Sequence, residues 1–110
     1  MTEITVFYRN EYVCGFVLDG HTGYNKRGKD IVCAGLSALA ITAANSLEKI
    51  AKASCNLDSN DDGHFSLMLK DNSEQDMVTQ TIMKYAVLGF ESISKEYPEF
   101  VKITNRRCEK

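Results

Sequence analysis

Asp30-Ile31-Val32-Cys33-Ala34-Gly35-Leu36-Ser37 opens a long, alanine-rich apolar segment, and the rest of the chain has to be arranged around it. Asp30 is a good N-cap, and Val32, Leu36, Leu39, Ala43, Leu47 and Ile50 follow at three- and four-residue spacing. That pattern predicts a helix from Ile31 to about Ala53. Ala34, Ala38, Ala40, Ala43 and Ala44 let it pack closely on more than one side.

Before the helix, Ile4 to Tyr8 and Tyr12 to Leu18 are rich in β-branched and aromatic residues, with Arg9-Asn10-Glu11 as the turn of a hairpin. Asp19 to Lys29 breaks all periodicity with Gly20, Gly23 and Gly28 and carries Lys26, Arg27 and Lys29, as a mobile basic loop would. After the helix, Asn56 to Gly63 reads as a polar turn and His64 to Lys70 as a short strand. Ser73, with Asp76 three residues on, resembles a capping box for a second helix that Pro98 ends after about Tyr97. Its apolar residues include Met77, Ile82, Tyr85, Leu88 and Ile93, and a last strand is expected over Phe100 to Thr104. The order β-β-α-β-α-β implies an α+β domain spanning 1–110. Its mostly antiparallel four-stranded sheet would carry two long helices packed on one face.

Composition narrows the function classes. With 110 residues, 44% hydrophobic, 25% charged and a net charge of −2, the chain is expected to fold, and direct nucleic-acid binding is not expected. No basic-then-apolar leader opens it, and no uninterrupted apolar stretch is long enough to span a bilayer. Cys14, Cys33, Cys55 and Cys108 are irregularly spaced, without a C-x-x-C pair, so free thiols in a cytoplasmic location are expected.

Chemistry concentrates at the helix start. With Asp30 as N-cap, Cys33 takes the third helical position, where the helix dipole and unpaired N–H groups favour negative charge, here a thiolate. Ala34 and Gly35 leave the surface beside it uncrowded, and Ser37 lies on the same face one turn deeper. A lone cysteine is usually a small buried hydrophobe, and a lone loop histidine is usually solvated. His21, twelve residues upstream on a loop able to fold back, changes that weighing as a candidate base. Asp30 is expected first to cap and second to orient His21.

Other signals are weaker. Asp58-Ser59-Asn60-Asp61-Asp62-Gly63 imitates half of a calcium-binding loop, but Leu69 stands where the bidentate glutamate is required. His64 and Cys55 lack zinc-ligand spacing, so no metal or cofactor is expected. Arg106, Arg107 and Lys110 form a short basic end, read as solvated.

Gly20-His21 after a hairpin, a glycine-rich loop, and the Asp30 to Ser37 motif opening an alanine-rich helix together resemble the ribosomal-processing cysteine protease (Prp) family over essentially the whole chain. The resemblance implies a bacterial endopeptidase that removes an N-terminal extension from a large-subunit ribosomal protein. It makes Cys33 the nucleophile and His21 the catalytic histidine. Gly20, Asp30 and Ser37 match accompanying positions, and Thr22 to Lys29 would be the substrate loop, with Thr22, Gly23, Tyr24, Lys26 and Arg27 facing the peptide. A homodimer, through the opposite sheet face or a helix edge, is expected. Two other readings compete: a non-catalytic ribosome-associated binding module, and a thiol redox sensor with Cys14 or Cys55 as resolving partner.

Overall fold

The structure, a computed structural model, describes residues 1–108. Alternating apolar residues build the first hairpin: β1 (Thr2–Arg9) and β2 (Tyr12–Asp19) bury Ile4, Val6, Phe16 and Leu18 on one face. Asn10 takes the left-handed conformation (φ 59°) that the tight turn between them requires. β3 (Cys55–Asn60) and β4 (His64–Leu69) form a second hairpin, and β5 (Val101–Arg107) follows the last helix. The strand order is β3-β4-β2-β1-β5, with β1 and β5 parallel and the other pairs antiparallel.

The sheet is therefore five-stranded and mixed, not four-stranded. The extra strand, β3, occupies most of the stretch expected as a polar turn. It is an edge strand whose residues 56–60 are all exposed, so the ladder to β4 holds it and no apolar alternation marks it. β5 also runs further than expected, drawing Arg106 and Arg107 into register with Phe7 and Tyr8. Lys110 lies outside the described residues.

α1 (Ile31–Ser46) continues through one π turn, Leu47–Ala51, and stops where Lys52 turns left-handed (φ 57°). Its core face is Val32, Leu36, Ala40, Ala43, Ala44 and Leu47, while Ile50 is 66% exposed. By length and composition Ile31–Ala51 would suffice to cross a membrane, although polar residues such as Ser37, Asn45 and Glu48 interrupt its apolar run. Here its buried residues belong to the same core cluster as the sheet.

α2 (Met77–Glu96) is capped by Asp76, which accepts from the Thr79 N–H and hydroxyl at 3.0 Å each. Ser73 is not the cap: it opens a 3-10 turn and its hydroxyl donates to the Lys70 carbonyl at 2.9 Å. The face turned to the sheet is Thr79, Gln80, Met83, Ala86, Val87 and Phe90. Of the apolar residues noted in its sequence, Met77, Tyr85 and Leu88 are exposed, because α2 has apolar residues on two sides and periodicity alone does not choose between them. Phe90 meets Phe16 edge-on, ring centroids 5.0 Å apart, joining α2 to the sheet centre.

Candidate active site

β2 ends at Asp19, and Gly20 (φ 94°) turns the chain out of the sheet where a Cβ would stand 2.7 Å from the Met1 carbonyl oxygen. The Thr2 hydroxyl donates to the Gly20 carbonyl and the Gly20 N–H to the Gly63 carbonyl, both at 2.8 Å. His21 therefore leaves the sheet at a fixed point, beside the tip of the β3–β4 turn.

The loop that follows is held by Asp30. One carboxylate oxygen caps α1, accepting from the Cys33 N–H at 2.9 Å. The other accepts from the Thr22 hydroxyl and from the N–H groups of Tyr24 (3.2 Å) and Asn25 (3.5 Å). Burial opposes the Asp30 charge, but the bonds from Thr22, Cys33, Asn25 and Tyr24 outweigh it and hold the carboxyl below its ordinary value. Among the described residues no hydrogen bond joins Asp30 to His21. The carboxylate is a cap and a loop clamp.

Between this loop, the first turns of α1 and the β3–β4 turn lies an open cleft of about 730 Å³. His21 and Cys33 both line it, with Asp30 and Ser37 alongside and Asn60, Asp61 and Gly63 as the opposite wall. Of the loop residues expected at the peptide, Gly23 and Arg27 line the cleft and Thr22, Tyr24 and Lys26 do not. Thr22 is buried under Asp30, and the Tyr24 ring packs edge-on against Tyr97 and Phe100, centroids 5.5 and 5.4 Å away. They anchor the loop from beneath and from outside. Cys33 and Ser37 also face a smaller pocket of about 250 Å³ walled by Leu18, Leu36, Ile41 and Phe65, with Gly20 and His64 on its lining.

The four thiols differ in setting. Cys33 is half-buried and opens on both hollows. Cys14 is buried, and that burial, with Cys108 beside it, pushes its thiol up to about 12. Burial also raises Cys55. Among the described residues no group of three or more His, Cys, Asp or Glu stands close enough to hold a metal ion. What sequence reasoning missed is the third wall, Asn60 to His64. The dipeptide Asp62-Gly63 is a hairpin signal, but the polar residues before it hid the strand on that side.

Set against known proteins, residues 1–102 match the family model described as Cysteine protease Prp. The ribosomal processing cysteine protease Prp of Staphylococcus aureus (strain Mu50) is 29% identical over 94 residues, covering 83% of this chain and 85% of the relative. Its Bacillus subtilis counterpart is 25% identical over 95 residues, covering 84% and 85%. In fold, the crystal structure of the S. aureus protease with a covalently linked product peptide agrees with a TM-score of 0.88 at 24% identity, over 96% of this chain and 99% of that one.

Proposed function

The chain belongs to the Prp family of cysteine proteases, and on that premise we propose that it removes the N-terminal extension of a large-subunit ribosomal protein. Cys33 is the nucleophile and His21 the general base. The observation that carries this reading is that a half-buried thiol in the first turn of α1 shares one cleft with an exposed imidazole on the preceding loop.

In the reaction His21 takes the Cys33 proton and the thiolate attacks the scissile carbonyl. The oxyanion needs N–H donors. The Cys33 N–H already serves Asp30 and the Ala34 N–H serves the Asp30 carbonyl; among the described residues no acceptor meets the N–H groups of Ile31 and Val32, so these take that role. His21 then protonates the leaving amine, and water hydrolyses the thioester and restores the thiol. Thiol and imidazole suffice for this chemistry without a cofactor or metal. Residues 22–29 form the loop over the peptide, rearranging about Gly23 and Gly28, where an added Cβ would meet nothing within 4 Å. The working form is a cytoplasmic homodimer whose partner is the ribosomal-protein extension, with no membrane and no direct nucleic-acid contact.

Incubation with the precursor ribosomal protein, read by intact mass beside Cys33→Ala and His21→Ala, tests this. One cleavage by the native chain, absent from both variants, is expected. Cleavage that survives Cys33→Ala would overturn the mechanism. Binding without cleavage by all three proteins would leave a tail-binding module.

A further inference from the structure

We propose that Gly63, at the tip of the β3–β4 turn, is a positioning residue for His21 and forms the seat on which the imidazole rests. This inference rests on His21 being the base. Gly63 has φ 85°, and a Cβ built on it would stand 3.2 Å from His21 Cε1, 3.2 Å from the His21 nitrogen and 3.0 Å from the Gly20 carbonyl carbon. These separations are tighter than side-chain carbons ordinarily tolerate. The bare Cα is what lets the ring and its backbone lie against the turn.

The same residue also fixes the backbone, since its carbonyl accepts the Gly20 N–H at 2.8 Å. The turn is itself tied down. His64, the next residue, stands 3.4 Å from the Asp19 carboxylate on β2 and 3.8 Å from that of Asp58 on β3. The Asn60 side-chain oxygen Oδ1 accepts from the Asp62 N–H at 2.8 Å and closes the turn. A left-handed turn by itself would tolerate asparagine, as Asn10 and Asn72 do in this chain at φ 59° and 53°. The contact with His21 demands more: any Cβ here would push the ring and its backbone away by a few tenths of an ångström. A base displaced by even a fraction of an ångström loses its alignment with the thiol, and misplacements near 1 Å cost catalysis about a hundredfold.

The test compares Gly63→Ala and Gly63→Asn with the native chain on a synthetic peptide spanning the processing junction. Asparagine relieves the backbone conformation and keeps the Cβ. Both variants are expected to keep a melting temperature within a few degrees of native, to lose about tenfold or more in kcat with KM nearly unchanged, and to displace the His21 Hε1 resonance. A folded variant with native kcat overturns the proposal, as does a lowered kcat with an unmoved His21 resonance. Should neither variant fold, the native chain decides: a cross-peak between the Gly63 α-protons and His21 Hε1 supports the seat, and its absence overturns it. Full cleavage by His21→Ala would instead sink the assignment of the base. Loss in His21→Ala beside fully active Gly63 variants would sink the seat alone.

Discussion

Asp30 divides its work between two oxygens, and the division has a measurable consequence. Its carboxyl titrates below the ordinary 3.8 in the folded chain, so folding favours the charged form. The resulting stability is fully present above the unfolded pKa and is lost as pH falls through the lower folded value. Asp30→Ala removes the cap and should cost about 0.5–2 kcal/mol at neutral pH. The gap in melting temperature between native and variant should then narrow between pH 6 and pH 3. A gap that stays constant over that range would show that the charge contributes nothing beyond the cap. At Cys33 the expectation concerns rate: iodoacetamide at pH 7 should alkylate it ahead of buried Cys14, with its thiol near 12, and ahead of Cys55. Peptide mapping of a partial reaction gives the order, and equal labelling of all four would remove the case for an activated nucleophile. Both residues were legible in the sequence because a cap and a first-turn position depend on local chain chemistry alone. The seat under His21 was not, since Gly63 lies 42 residues further along and only tertiary packing brings the two together.

Among the elements, α2 shows how a single polar side chain can fix a helix on a sheet. β4 pairs with β2 only as far as Gly15, so the Val13 backbone just beyond has no strand partner on that side. Gln80 replaces it: its carbonyl oxygen accepts the Val13 N–H at 2.9 Å and its amide donates to the Val13 carbonyl at 2.8 Å. Gln80 is 6% exposed, so Gln80→Leu would strand two buried backbone groups and should cost on the order of 2–4 kcal/mol. Urea denaturation measures this, and a loss below about 1 kcal/mol would mean that water reaches the site in place of the amide. The arrangement also explains why the apolar stripe of α2 misleads. Thr79 and Gln80 face inward beside Met83, Ala86, Val87 and Phe90, while Met77, Tyr85 and Leu88 face outward, so hydrophobicity marks two sides of the helix and does not choose between them. β3 escaped notice for the converse reason, being a polar strand held by its ladder. By contrast β1, β2 and α1 are dense in apolar residues that enter the core, and the sequence placed them to within a few residues.

At the scale of the molecule, three segments far apart in sequence meet at one end of the sheet: the exit of β2, the start of α1 and the tip of the β3–β4 turn. All three come from one chain. The helix layer behind the cleft is different. Met77, Tyr85 and Leu88 are 81%, 73% and 63% exposed, and Leu39, Ala43, Ile82 and Tyr85 line a shallow groove between α1 and α2. Large apolar side chains clustered on one surface usually mark an interface. The expected occupant is the same layer of a second chain, paired about a two-fold axis so that each groove receives its partner's aromatic and aliphatic side chains. Sedimentation velocity should then give a dimer for the native protein and a monomer for Tyr85→Glu combined with Leu88→Glu, with little change in melting temperature, since neither residue belongs to the core. A variant that remains dimeric would move the contact to the open sheet face, where Phe7, Val17 and Met68 are half-buried. Because His21, Asp30, Cys33 and Gly63 stand away from the helix groove, the monomeric variant should still cleave the precursor with a kcat near native. Loss of cleavage on monomerisation would mean instead that the partner chain holds the loop or the peptide in place.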